Sequence, residues 1–228
     1  MAYFIAIDGL DGSGKATQSK LLCEALRNLG KKVRTISFPT YEEKASMLVN
    51  MYLSGELGGK ASDTGAYAAS TFFSMDRYIS YRTDWHKDYG EDGTVVLADR
   101  YTSANAVHQL SKLDRSEWDS YLDWLVDYEY SKLGLPCPDT VVYLEVRPDI
   151  SMKLIRSRSE QTGRNMDIHE LDPEFLSKSY EAAIYASDKL DWVKIKCYEG
   201  DEMRAIDDIA AEVLEKVTAR LAARENRF

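Results

Sequence analysis

Cysteine is scarce in this chain and never clustered. Three residues, Cys23, Cys137 and Cys197, are spread over 228 positions, no C-x-x-C pair occurs, and the three histidines are dispersed. An odd, scattered set excludes a disulfide-stapled scaffold and a zinc ribbon, and it fits a reducing, cytoplasmic setting. Positive charge is also in deficit: 29 Lys and Arg stand against 38 Asp and Glu, for a net charge of −9. That balance argues against nucleic acid or an anionic membrane as partner, since both demand a basic footprint. It leaves open a small anion held in a local basic pocket. No apolar run approaches the roughly 20 residues that cross a bilayer. The N-terminal "YFIAI" is closed at once by Asp8 and is too short for the apolar core of a signal peptide. Proline numbers five, and no Pro/Ser-rich linker, repeat or low-complexity tract interrupts the chain. A single domain over 1–228 is the expectation, and 44% hydrophobic and 29% charged residues are ordinary for a soluble globular protein.

What is present alternates. "YFIAID", "KVRTISFP", "GTVVLADR", "DTVVYLEV" and the weaker "DWVKIKC" read as strands, and helical patterns separate them. Leu21, Leu22, Ala25, Leu26 and Leu29 recur at helical spacing before Gly30. A long helical stretch is expected from Thr64 to Asp88. In the C-terminal tail Ile206, Ile209, Val213, Val217 and Leu221 fall on one helix face. Several strands apolar on both faces predict an α/β fold of three layers, with a central five-stranded parallel sheet flanked by helices. Ligands bind such sheets at the carboxyl ends of strands. Asp8-Gly9, Phe38-Pro39, Asp99-Arg100 and Glu145 lie at those ends.

Between the first strand and the first helix stands "GLDGSGKATQ". Gly9, Gly12 and Gly14 allow a tight turn whose N–H groups wrap a polyphosphate at a helix N-terminus, and Lys15 reaches the phosphates as a point charge. With Ser13 they form a candidate ATP phosphate site. Ala16 replaces the hydroxyl that usually helps hold Mg²⁺, but Thr17 follows on the first helical turn. Asp11 adds a carboxylate that would orient the metal or an acceptor phosphate. The plain alternative is that Thr17 and Asp11 only support the turn.

Further along, Asp99, Arg100 and Tyr101 follow an apolar strand. Arg100 is placed to bind a phosphate and Asp99 to lie near Lys15 and the metal; a strand-capping Asp–Arg pair is the structural alternative. Phe73 and Arg77 are four apart, so they share a helix face, although in so aromatic a helix Phe73 is equally readable as core. Asn105 and Gln109 are also four apart. Their amides offer both donor and acceptor, unless they are exposed or capping groups. Arg156, Arg158 and Arg164 gather around Gly163 in "RSRSEQTGRNMDIHE". This is a candidate lid (about 156–172) that brings positive charge to a transferring phosphoryl group, or else a solvated charged loop.

Taken together, "GLDGSGKATQ", "FP", "FFSMDRY" and "DRYTSANAVHQ" resemble the thymidylate kinases, P-loop nucleoside monophosphate kinases, over nearly the whole chain. The resemblance implies a P-loop NTPase fold with a lid and an acceptor-nucleotide region at about 38–90. It implies Mg²⁺-dependent transfer of the ATP γ-phosphoryl group to dTMP, in a homodimer. Lys15, Asp11, Arg100, Arg158 and Arg164 would be the catalytic set, with the last two favoured over Arg156. Asp11, Thr17 and Asp99 would attend the metal. Phe38, Tyr41, Phe73 (on thymine), Arg77 (on a base carbonyl), Arg100 (on the acceptor phosphate), Asn105, His108 and Gln109 would hold dTMP. Asp167 and Glu170, from a D-x-x-E, would face its sugar. Three residues depart from the family pattern. Thr40-Tyr41 lacks the arginine often found after "FP", His108 stands where a tyrosine is common, and Ala104 replaces a serine. Rival readings are another nucleotide or deoxynucleoside kinase on the same fold, or a non-catalytic nucleotide-binding module. A GTPase is disfavoured because no N-K-x-D motif occurs.

Overall fold

The computed structural model describes residues 1–162 and 168–225. Five strands, β1 (Tyr3–Gly9), β2 (Lys32–Ser37), β3 (Thr94–Asp99), β4 (Thr140–Glu145) and β5 (Val193–Lys196), form one sheet in the order β2-β3-β1-β4-β5, with every neighbouring pair parallel. All five coincide with the apolar runs. The central β1 is buried at every position, whereas the edge strands β2 and β5 each bury a single residue, Val33 and Ile195, because each has a neighbouring strand on one side only.

Successive residues of β1 serve opposite layers. Ile5 and Ile7 pack with Leu22 and Leu26 of α1 (Lys15–Asn28) and with Val213, Val217 and Leu221 of the C-terminal helix Ile206–Glu225. Phe4 and Ala6 face the other way, against Trp85 and Tyr101. Two expected core positions are not core. Leu29 and Ile206 are 59% and 57% exposed, because each lies at a helix end beyond the reach of the sheet. Gly30 closes α1 in the left-handed conformation, φ 78°, with its N–H donating to Arg27 O.

Between β2 and β3 lie α2 (Met47–Leu53), α3 (Ala66–Ser80), a π-turn at Tyr81–Trp85 and α4 (His86–Gly90). The long helical stretch is therefore helical, with a wide turn near its end. Next come α5 (Thr102–His108), α6 (Trp118–Val126) running into a π-turn at Asp127–Lys132, α7 (Pro148–Thr162) and α8 (Pro173–Lys189). A two-stranded hairpin, β6 (Tyr198–Glu199) and β7 (Glu202–Met203), precedes the last helix, α9, and has no counterpart in the sequence reading. Among the described residues no helix is long and apolar enough to cross a membrane.

Candidate active site

The loop after β1 is shaped by space as much as by dihedral freedom. A Cβ on Gly9 would sit 2.6 Å from Ser13 Oγ and 2.8 Å from Leu144 O, so only glycine lets the loop fold this closely over β4. Gly14 is left-handed, φ 86°, and caps α1 without a side-chain hydrogen bond. The first-turn N–H groups therefore remain for an anion. Lys15 is buried and donates to Gly9 O (2.9 Å) and Leu10 O (2.8 Å), curled over its own loop. Burial and the nearby Arg100 guanidinium push its ammonium down to about 8, against the pull of Asp11 and Asp8.

Arg100 occupies a left-handed backbone conformation, φ 63°, a cost for a non-glycine residue that functional sites retain. Its N–H donates to Ile7 O (2.9 Å), and the turn aims the guanidinium at the loop, where it pairs with Asp11. Burial opposes ionisation of Asp11, but Arg100 and Lys15 outweigh it and hold the carboxyl far below the ordinary carboxylate range. Beneath them Asp8 is wholly buried, accepting from Gly9 N–H and Ser103 Oγ (both 2.8 Å).

A cavity of about 230 Å³ opens beside this pair. Its wall contains Asp11, Phe38, Tyr41, Phe73, Arg77, Arg100, Asn105, His108, Gln109, Arg158 and Glu170. These are all the expected acceptor-site residues within the described segments, together with one of the two favoured lid arginines. The other favoured arginine, Arg164, and Asp167 lie outside the described residues. Three elements build the cavity. The loop after β2 enters through the Phe38–Pro39 peptide, which is cis. It is tied to α3 by Asp76, which accepts from Thr40 N–H (3.0 Å), Thr40 Oγ1 (2.5 Å) and Ser46 Oγ (3.1 Å). Phe73 and Arg77 come from α3, while Asn105, His108 and Gln109 come from α5 and its end. Phe73 is half-buried, with its ring edge-on to Tyr52 at 6.0 Å, so it serves both as cavity wall and as a neighbour of the small apolar cluster around Tyr52. Arg158, on α7, pairs with the buried Glu170, while Arg156 is exposed and outside the wall.

Several roles read differently in three dimensions. Ala16, expected on the donor side, is also among the residues lining the acceptor cavity. Arg77 is 1% exposed and gripped by Glu129, through Nε to Oε2 (2.8 Å) and Nη2 to Oε1 (2.5 Å), so its contact to a ligand uses only its remaining N–H groups. Asp11, Thr17 and Asp99, the expected metal set, fall on different surfaces: Asp11 lines the acceptor cavity. Thr17 is exposed on the first turn of α1, and Asp99 lines a groove with Ser19, Lys20 and Cys23. Asp99 is still close enough for its charge to act on both Lys15 and Arg100. Among the described residues no three His, Cys, Asp or Glu side chains cluster as metal ligands. Magnesium bound beside phosphates asks for one or two carboxylates rather than a protein cage. Asp11, on the cavity wall beside the phosphate loop, would supply such a carboxylate to Mg²⁺ carried in with a nucleotide.

Sequence reasoning missed the layer behind the wall. His169 also lines the cavity, its ring stacked on His108 at 5.4 Å and 23°. His169 Nε2 meets Tyr52 Oη at 2.7 Å, and Tyr52 accepts from Lys112 Nζ (2.8 Å). Burial takes His108 down to about 4 and Lys112 down to about 7. Glu129 and Asp76 were missed too, since their partners lie tens of residues away.

Comparison with known proteins agrees with this arrangement. The family model described as thymidylate kinase matches residues 7–198. A thymidylate kinase of Mycobacterium tuberculosis (strain CDC 1551 / Oshkosh) is 35% identical over 184 residues, covering 80% of this chain and 83% of the relative. That of Plasmodium falciparum (isolate 3D7) is 29% identical over 215 residues, covering 94% and 89%. The fold is shared with a solved thymidylate kinase from Candida albicans, at a TM-score of 0.67, 20% identity, and coverage of 96% and 92%. A parallel sheet carrying a glycine-rich phosphate loop, an arginine turned onto that loop from the next strand, and a family match across most of the length place this chain in the thymidylate kinase family.

Proposed function

We propose that this protein transfers the γ-phosphoryl group of ATP to dTMP, giving dTDP and ADP, in dTTP biosynthesis. One observation carries the reading. One cavity is lined both by side chains suited to reading a base (Phe73, Arg77, Asn105 and Gln109) and by Arg100 with its phosphate-loop partner Asp11. A nucleoside monophosphate laid along it points its phosphate at the loop that would hold the donor.

Phosphoryl transfer is largely positioning and electrostatics, so each side chain has a defined task. Lys15 leaves the loop carbonyls for the β- and γ-phosphates, where it regains its full charge. Arg100, kept in line by Asp11, holds the acceptor phosphate. Arg158 supplies positive charge to the transferring group. Tyr41, 45% exposed at the cavity edge, stands in for the missing arginine by donating its phenolic hydrogen to the acceptor phosphate. The acceptor oxygen is already ionised, so no strong general base is needed. Asp11 would help hold Mg²⁺, which would supply charge neutralisation at the phosphates. The same family likeness makes the enzyme a cytoplasmic homodimer in this reading.

An ATP-to-ADP assay across dTMP, dUMP, UMP, AMP, CMP and thymidine tests the proposal. The expected result is fastest turnover with dTMP and near-complete loss in Lys15→Ala. Turnover with AMP or thymidine equal to that with dTMP refutes it.

A further inference from the structure

Glu129 sits in the π-turn after α6, 0% exposed and outside the cavity wall, yet five hydrogen bonds converge on its carboxylate. Oε1 accepts from Ser74 Oγ (2.8 Å), Arg77 Nη2 (2.5 Å) and Asn105 Nδ2 (3.1 Å). Oε2 accepts from Arg77 Nε (2.8 Å) and Thr102 Oγ1 (2.6 Å). Two of these donors, Arg77 and Asn105, are the side chains that face the base end of the cavity.

The chemistry of the partners fixes the polarity of that end. The Asn105 NH₂ group donates to Glu129 Oε1 and to Ser70 O (3.3 Å), and both are acceptors only. Turning the amide over would set oxygen against oxygen twice, so Oδ1 is the amide atom left for a ligand. Arg77 offers donors only, and its guanidinium is held in one plane by the two-point grip of Glu129. The cavity thus presents a donor at 77 and an acceptor at 105. A keto pyrimidine answers with a C=O beside an N–H. An amino pyrimidine presents the reverse at both positions, leaving buried groups unpaired.

We infer that Glu129 is a positioning residue for base selection: by gripping Arg77 and locking the amide of Asn105, it makes the cavity choose a keto over an amino pyrimidine monophosphate. The inference rests on the thymidylate kinase reading and goes beyond it by naming what sets the choice.

The test compares kcat and KM for dTMP and dCMP, with melting temperature, in the full-length wild type, Glu129→Gln and Glu129→Asp. Glu129→Gln exchanges one acceptor oxygen for a donor and frees the Asn105 amide to turn over. The ratio of kcat/KM for dTMP to that for dCMP falls at least about tenfold, through a higher KM for dTMP with kcat little changed. Glu129→Asp keeps the counter-ion for Arg77, and with it the fold, but reaches one methylene less far. It shows a smaller fall, and it decides the matter if Glu129→Gln does not fold. A purely structural role slows both substrates in parallel and lowers the melting temperature, and an unchanged ratio in the folded variants overturns the inference. A wild type with no preference for dTMP over dCMP overturns the functional reading itself, before any variant is measured.

Discussion

Lys15 shows how a single buried residue ties charge to function. Its ammonium is held near 8 rather than the ordinary 10.5, because burial and Arg100 both disfavour the proton. The unfolded chain therefore binds more protons than the folded one between those values, so this residue makes stability rise with pH across that window. Activity moves the other way. Above about pH 8 the free enzyme loses the charge that greets the phosphates, so kcat/KM for ATP declines there. The kcat limb lies higher, because bound phosphates restore the proton; a pH–rate profile for both parameters shows the separation. The wall of the site was legible in the sequence because its residues sit in short motifs at helical or strand-end spacing. What stood behind it was not. Glu129 is 52 positions from Arg77 and 24 from Asn105, and nothing local marks it as their anchor. Asp99, at the end of its strand, acts on Lys15 by charge as its position in the motif leads one to expect.

The loop after β2 is held in large part by one side chain of α3. Asp76 takes up Thr40 N–H, Thr40 Oγ1 and Ser46 Oγ, and so fastens Phe38 and Tyr41 over the cavity. Asp76→Ala leaves those donors without their acceptor and costs about 1–3 kcal/mol. It raises KM for dTMP while leaving KM for ATP nearly as it was, which steady-state kinetics with each substrate varied in turn will read. The elements themselves were easy to foresee. Apolar runs of four to eight residues closed by Gly, Pro or Asp define the strands, and the alternation with helices defines the parallel sheet. The hairpin of β6 and β7 escaped notice because its strands are two residues long and carry no period. Helix ends misled for a physical reason: Ile206 continues the apolar stripe of α9 past the edge of the sheet that the stripe serves.

At the scale of the whole molecule, the acceptor site is stitched from segments far apart in sequence: the phosphate loop, the loop after β2, α3, α5, and the region around Arg158 and Glu170. A ligand that touches all of them links their fates. With dTMP at about a hundred times its Kd, the folded state gains about 2.7 kcal/mol, which for a chain of this size raises Tm by about 5–10 °C. Thermal scans with dTMP, and with AMP as the contrast, measure this; an equal shift with AMP counts against selective binding. Ala16 belongs to that stitching in a way its place in the motif conceals. It is part of the loop that would grasp the donor, and it is also one of the residues lining the acceptor cavity. One position would therefore border both substrates. A larger residue there would reach toward the acceptor while nominally improving the grip on the donor's metal. An inhibitor grown from the nucleoside end toward position 16 would meet the donor's loop without entering the donor's site.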